Sequence, residues 1–175
     1  AKAHGIDDKK RLFFSDVVPR EEHLCRVYLA DLFLDTPVFN ARSSAADALW
    51  GGTPIVTLAV EQVVSRTCAS MLTAAGLPDL ITTSLEEYEE LAVKLGKDHQ
   101  RLHEITQQLE STRETCPLFD VAAWVRNFEA GLVTAWERHE KGMEPDHINV
   151  RKGEDEEAKS EAKEESRKPL LRVSQ

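Results

Sequence analysis

Short apolar runs alternate with stretches of helical periodicity along residues 11–97. Four of these runs are apolar at consecutive positions, which is typical of strands buried on both faces of a sheet. The predicted strands are Arg11–Ser15, Leu32–Asp35, Pro54–Leu58 and Leu80–Thr82. The predicted helices begin at Pro19, Ser44, Val63 and Ser84 and end near Ala30, Trp50, Ala75 and Leu95. Strands that alternate with helices in this way predict an α/β fold, a parallel sheet with helices on both faces.

Local signals support the predicted helix boundaries. Pro19 suits the first position of a helix, where its missing N–H would have no intrahelical partner. Gly51-Gly52 is expected to stop the second helix, because glycine accepts the conformation that commonly follows a helix end. Ser84 is followed three residues later by Glu87, which is the spacing of a capping box.

The two ends of the chain differ from this central pattern. Asp98–Thr112 and Phe119–Lys141 predict two closing helices separated by Pro117. Residues 151–175 contain seven acidic and seven basic residues and few hydrophobic ones, which predicts a disordered tail. Residues 1–10 form a polar segment, and the first predicted strand follows without the ligand-binding turn that usually opens a doubly wound sheet. We therefore expect residues 11–150 to be the C-terminal part of a larger domain.

Composition excludes several classes of function. The chain has 22 Lys and Arg against 31 Asp and Glu, a formal net charge of −9, which argues against a general nucleic-acid or anionic-membrane binder. No apolar run is long enough to span a membrane, and no signal peptide is visible at the N-terminus. The three cysteines, Cys25, Cys68 and Cys116, exclude a disulfide framework and a zinc knuckle and suit a reducing compartment.

A first cluster of candidate ligand-binding residues lies on the helix predicted to start at Pro19. Arg20, His23 and Arg26 recur at steps of three, so they share one side of that helix. Two guanidinium groups and an imidazole near a helix N-terminus could hold an anion or stack on a base. The alternative is a solvated helix face whose cations pair with the neighbouring glutamates.

A second cluster surrounds the helix start at Ser44. Ser44 and Asp47 have the spacing of a capped helix start, and Arg42 and Ser43 stand just before them. Backbone N–H groups, two hydroxyls and a guanidinium would suit a diphosphate, and Asp47 could accept hydrogen bonds from a ribose diol. The alternative is an ordinary helix cap, which contributes about 1 kcal/mol.

Other motifs point to no further chemistry. Dinucleotide, Walker, nucleophile-elbow and zinc-protease motifs do not occur. His99 and His103 are four residues apart on a predicted polar helix, but no third metal ligand is evident, which favours solvated histidines.

Taken together, the motifs resemble one family. P-R-E-E-H, L-D-T-P, D-A-L-W-G-G-T-P-I-V-T and P-D-H follow one another within residues 11–149, and this order is similar to the C-terminal lobe of nucleocytoplasmic O-GlcNAc transferases. The resemblance implies a GT-B fold, with two Rossmann-like lobes and the donor between them. It also implies transfer of N-acetylglucosamine from UDP-GlcNAc to Ser or Thr of proteins, with inversion and without a metal or other cofactor.

The resemblance assigns the first cluster to the nucleoside. Arg20 stands where the family has a lysine near the ribose and phosphates of UDP. His23 stands where a histidine packs on uracil, and Arg26 where an arginine lies beside the base.

The resemblance assigns the second cluster to the diphosphate and ribose. Ser43 and Ser44 replace two threonines that hold the diphosphate, and Asp47 matches an aspartate that binds ribose. Arg42 stands in place of a histidine and keeps a cationic donor. Ala45 stands in place of a glycine, and its methyl group is expected where a phosphate would approach.

The same resemblance sets the expected partners and location. UDP-GlcNAc or UDP is the small-molecule partner, and protein acceptors bind through an N-terminal lobe and a tetratricopeptide superhelix that residues 1–175 do not contain. We expect no nucleic-acid or membrane partner, residence in cytoplasm and nucleus, and little or no transfer by residues 1–175 alone, since no residue is a convincing general base. The alternatives are a GDP-fucose-dependent protein O-fucosyltransferase lobe and a nucleotide-binding or interaction module that has lost its chemistry.

Overall fold

The computed structural model describes residues 2–6 and 11–150. The helices are α1 Arg20–Val27, α2 Ser43–Trp50, α3 Thr67–Ala74, α4 Leu85–Lys97, α5 His99–Thr112 and α6 Val121–Glu140. The strands are β1 Phe33–Leu34, β2 Ile55–Leu58 and β3 Ile81–Thr82, and single 3-10 turns occupy Lys2–His4, Val63–Ser65 and Pro78–Leu80. The predicted disordered tail, residues 151–175, lies outside the described residues.

The three described strands form one parallel sheet in the order β1-β2-β3. Phe33 is in register with Ile55, and Thr57 is in register with Ile81. Helix α2 connects β1 to β2 and helix α3 connects β2 to β3, as parallel pairing requires. The carboxyl ends of the strands therefore lie at one edge of the sheet, where α/β proteins bind ligands.

The core lies around β2, whose four residues are all buried. Helix α2 contributes Ala45, Ala48 and Leu49 to this core, and helix α3 contributes Cys68 and Leu72. Burial on both faces explains why β2 is apolar except for Thr57, whose hydroxyl has a hydrogen-bond partner. It also fixes α2 firmly against the sheet, since one side of this short helix is part of the core.

The glycine turn after α2 has the structural role that the sequence predicts. Gly52 has a φ of +86°, which L side chains rarely adopt. At Gly51, the ring of Tyr28 occupies the space that a Cβ would need. The Thr53 hydroxyl then donates to the carbonyl of Val27 at 3.1 Å, which ties this turn to the end of α1.

The strand predicted at Arg11–Ser15 is wrong. Residues 12–15 have no regular secondary structure, and the side chains of Phe13 and Phe14 are 85% and 95% exposed. A strand requires backbone partners, and among the described residues β1 pairs only with β2. The apolar pattern of this segment therefore finds neither a neighbouring strand nor a covering face within residues 11–150.

The remaining differences are shifts of boundaries. The helix predicted from Val63 to Ala75 is divided into the turn at Val63–Ser65 and the helix α3. Pro19 precedes the first residue of α1 instead of occupying it. Ser84 caps α4 as predicted, because its hydroxyl accepts from the N–H of Glu87 at 3.1 Å.

The chain divides into two compact units, Ala1–Asp120 and Val121–Gln175. The first unit contains the sheet and helices α1 to α5. In the second unit, α6 exposes several large apolar side chains, among them Trp124, Phe128 and Trp136. None of the helices among the described residues combines the length and the apolarity that crossing a bilayer requires.

Candidate functional site

The two predicted clusters meet at an ion pair between helices α1 and α2. Arg20, the first residue of α1, donates from Nη2 to Oδ1 of Asp47 at 2.7 Å. The Arg20 side chain is 68% exposed, whereas that of Asp47 is 13% exposed. Residues that lie 27 positions apart in the sequence are thus joined at the surface of the first unit.

His23 lies one turn beyond Arg20 and is exposed. Residues three apart share a helix face, so the imidazole is on the side of α1 that carries the contact with Asp47. Arg26 is engaged elsewhere, because it donates to Oε1 of Glu22 at 2.6 Å and to the carbonyl of Asp16 at 3.2 Å. The structure therefore joins Arg20 to Asp47, leaves His23 exposed one turn along α1, and pairs Arg26 with Glu22 and the carbonyl of Asp16.

The start of α2 differs from the predicted cap. The helix begins at Ser43, and Arg42 occupies the capping position, so Ser44 is a helical residue and not the cap. Asp47 pairs with Arg20 and does not return to the helix start as a capping box would require. The first turn of a helix leaves its N–H groups without intrahelical partners, and the exposed hydroxyls of Ser43 and Ser44 lie beside them.

Arg42 stacks its guanidinium over the ring of Phe39, with 5.3 Å between Cζ and the ring centroid. Both residues are exposed, so this contact holds the cation next to the first turn of α2 at the surface. The side chain of Arg42 thus lies near Ser43 and Ser44, whose hydroxyls are predicted to bind a diphosphate.

The expectation for Ala45 is wrong. Its side chain is completely buried in the core cluster with Ala48 and Leu49. The methyl group therefore points into the protein and not toward the surface on which Ser43 and Ser44 lie. Alanine at this position therefore fills space in the core.

A buried carboxylate, which the sequence analysis did not single out, lies behind this surface. Asp35 follows β1 and is 1% exposed. Its Oδ2 accepts from the Thr57 hydroxyl at 2.6 Å, and its Oδ1 accepts from the N–H of Ala41 at 2.8 Å. The signal in the sequence is an acidic residue directly after an apolar run, and a carboxylate that is buried there needs several hydrogen bonds.

The thiol of Cys68 packs against the same cluster. Burial, and then the nearby Asp35 carboxylate, raise the pKa of this thiol from 9.0 to about 12, although the Thr57 hydroxyl acts in the opposite direction. Because the thiolate is the nucleophile of cysteine chemistry, we expect the buried Cys68 to react slowly at neutral pH. Cys25 on α1 is exposed.

Alkylation should therefore separate these two cysteines. In the native protein at pH 8, iodoacetamide should modify Cys25 and leave Cys68 unmodified, as read by peptide mass spectrometry. The same treatment in denaturant is the control and should modify both. Modification of native Cys68 at the rate of Cys25 would contradict its burial beside Asp35.

A cavity of about 540 Å³ lies away from the predicted site. Its lining includes Asp31 and Thr53, which precede β1 and β2, together with His99 and His103 of α5. It is therefore at the amino ends of the strands, opposite the edge that α/β folds use for ligands. Within residues 2–6 and 11–150, no group of three or more His, Cys, Asp and Glu residues is arranged to hold a metal ion.

The sequence profile of glycosyl transferase family 41 matches residues 1–128. The chain belongs to this family. A probable UDP-N-acetylglucosamine–peptide N-acetylglucosaminyltransferase of Arabidopsis thaliana, SEC, is 40% identical over 151 residues, 86% of this chain and 15% of the relative. The corresponding Caenorhabditis elegans transferase is 40% identical over 141 residues, 81% of this chain and 12% of the relative.

A solved family 41 relative supports the fold. A mutant of the Thermobaculum terrenum O-GlcNAc transferase aligns with a TM-score of 0.63 and 27% identity, over 73% of this chain and 25% of that chain. Together with the parallel sheet, this likeness confirms the predicted α/β fold, the C-terminal lobe of a GT-B glycosyltransferase. The resemblance derived from the motifs is likewise confirmed, and the chain spans less than a sixth of the length of the two curated relatives.

Proposed function

We propose that this chain supplies the UDP-binding half of a protein O-GlcNAc transferase. The observation that carries the proposal is the contact of Arg20 with Asp47, which joins the two predicted nucleotide-binding clusters in a member of family 41. The donor is UDP-GlcNAc, the acceptors are Ser and Thr hydroxyls of proteins, and the transfer proceeds with inversion. The related transferases of Arabidopsis and C. elegans carry this donor and a peptide acceptor in their names.

The nucleoside lies between α1 and α2. A uracil ring stacks on the exposed imidazole of His23, and the ribose hydroxyls donate to the carboxylate of Asp47. Arg20 already holds that carboxylate, so ribose shares it with the guanidinium or displaces it. Asp47 is largely shielded from water, and a charged acceptor in such a position forms stronger hydrogen bonds than an exposed one. Arg26 reaches the base only by leaving Glu22.

The diphosphate lies on the first turn of α2. Negative charge grows on this leaving group as the bond to the sugar breaks, so donors aimed at it stabilise the transition state more than the ground state. Those donors are the N–H groups of the first turn, the hydroxyls of Ser43 and Ser44, and the guanidinium of Arg42. Each such donor typically contributes about 3–4 kcal/mol to transition-state stabilisation.

The remaining groups of the reaction come from outside this chain. No carboxylate or imidazole of the nucleotide site is placed as a general base for the acceptor hydroxyl, since Asp47 is paired and His23 faces the nucleoside. Residues 1–175 alone should therefore show little or no transfer. The leaving group is stabilised by protein donors without a metal, and the protein acts in the cytoplasm and nucleus.

Calorimetry with the full-length protein tests this function. UDP should bind, and GDP should bind at least about tenfold more weakly, which corresponds to roughly 1.4 kcal/mol. Tighter binding of GDP would favour the protein O-fucosyltransferase alternative. A full-length protein that binds neither nucleotide would instead be a module without donor chemistry.

A mass-spectrometric transfer assay completes the test. The full-length protein should add N-acetylglucosamine from UDP-GlcNAc to Ser or Thr of an acceptor protein, and residues 1–175 alone should not. Comparable turnover by residues 1–175 would show that the acceptor-activating group lies within this chain.

A further inference from the structure

Asp35 joins both ends of the loop that precedes α2. Its Oδ1 accepts from the N–H of Thr36 at 3.0 Å and from the N–H of Ala41 at 2.8 Å. Its Oδ2 accepts from the hydroxyl of Thr57 on β2 at 2.6 Å. One carboxylate thus closes the loop from Thr36 to Ala41 and attaches it to the central strand of the sheet.

The backbone of Asp35 is held by a second element, helix α4. The hydroxyl of Tyr88, on α4, donates to the backbone carbonyl of Asp35 at 2.9 Å. Strand β2 and helix α4 therefore fix Asp35 through its side chain and its main chain. Because both elements belong to the packed core of the first unit, the position of the carboxylate is set independently of the loop.

Other bonds shape the loop itself. The N–H of Asn40 donates to the carbonyl of Val64 at 2.9 Å, and its side-chain amide donates to the carbonyl of Thr36 at 3.0 Å. Ala41 is the last residue before Arg42, whose carbonyl accepts from the N–H of Ala46 at 3.0 Å in the first turn of α2. The bond from Ala41 to Asp35 thus ties the residue before Arg42 to the core, next to the first turn that Ala45 anchors by its burial.

Burial of a carboxylate carries a desolvation cost, so a buried carboxylate is not an efficient way to stabilise a loop. Removal of an ionised group from water is costly unless its hydrogen bonds are satisfied, and apolar residues of similar size often stabilise a fold as well or better. Asp35 satisfies both oxygens and directs two backbone N–H groups to one point. This arrangement fixes where the two ends of the loop lie relative to β2.

We propose that Asp35 is a positioning residue of the donor site, which holds Ala41 so that the first turn of α2 and the hydroxyls of Ser43 and Ser44 meet the diphosphate. Asp35 touches neither donor nor acceptor and acts through the backbone of the loop. This inference rests on the proposed function and extends it to a buried residue that does not contact the nucleotide.

Three variants of the full-length protein test the role of Asp35. Asp35→Ala removes all three hydrogen bonds, Asp35→Asn keeps an oxygen for the two backbone N–H groups without the charge, and Thr57→Val is the matched control. Thr57→Val takes one bond from the same carboxylate but leaves the loop bonds in place. The readouts are the hydrogen-exchange rate of the Ala41 amide and the Kd of UDP, both measured well below the unfolding temperature.

The expected results are graded. Asp35→Ala should raise both the exchange rate and the Kd about tenfold or more, which matches loss of a charge-assisted bond. Asp35→Asn should raise both about threefold, because a bond to a neutral acceptor is about half as strong. Thr57→Val should leave both within about twofold of the wild type, even where it lowers the unfolding temperature. If Asp35→Ala does not fold, Asp35→Asn against Thr57→Val decides.

Two results would overturn the proposal in different ways. Unchanged Ala41 exchange and Kd in the Asp35 variants, or equal changes in Thr57→Val, would show that Asp35 serves the fold alone. Wild-type protein that binds no UDP, while Asp35 still protects the Ala41 amide, would overturn the proposed function and with it the link of Asp35 to a donor.

Discussion

Replacement of both His23 and Asp47 by alanine should weaken the binding of UDP to the full-length protein about a hundredfold. A hydrogen bond to a charged group contributes about 1.5–3 kcal/mol, and base stacking on an aromatic side chain about 1–3 kcal/mol. Loss of the lower values together is close to the roughly 2.7 kcal/mol of a hundredfold change. Calorimetric titration with UDP measures the effect directly.

The fold should survive this double substitution. Asp47 pairs with an arginine that is 68% exposed, and such pairs contribute at most about 1 kcal/mol to stability. His99→Ala with Glu104→Ala is the matched control, since these exposed residues of α5 have the same chemistry away from the site. Equal UDP affinity of wild type and the His23 and Asp47 double variant would show that the nucleoside does not bind at these residues.

Leu49→Ala should lower the free energy of unfolding by about 3 kcal/mol, because truncation of a fully buried leucine loses transfer energy and leaves a cavity. Leu49 is 0% exposed and lies on α2 within the core cluster. The loss is a large part of the roughly 5–15 kcal/mol that stabilises a typical domain. Urea denaturation, followed by a probe within the first unit, measures it as a lower midpoint.

Leu29→Ala is the control for this substitution. Leu29 is 83% exposed, so the same chemical change should alter stability by less than about 0.5 kcal/mol. If both variants lost equal stability, α2 would not be anchored on the sheet by its apolar side. The start of α2 would then have no rigid support for a diphosphate.

Local sequence patterns predicted part of the structure around the candidate site correctly. The helix that starts near Ser44, the glycine turn after it and the apolar strand Ile55–Leu58 follow from local periodicity and turn chemistry, and the structure confirms them. The capping role expected of Ser44 is wrong, because the helix begins one residue earlier at Ser43 and Asp47 pairs with Arg20 of another helix. A motif within one segment carries no information about a partner such as Arg20, which comes from another helix.

From residue 20 onward, the sequence by itself determined the order of strands and helices, and it also determined the parallel sheet and the family resemblance. These properties depend on the spacing of apolar residues and on the order of short motifs, both of which are local. Only the tertiary structure decided that Arg20 meets Asp47, that the methyl of Ala45 points into the core, and that Asp35 ties the loop to β2. Those contacts depend on how helices cross over the sheet, and the side-chain period of a single segment carries no information about the segment that will pack against it.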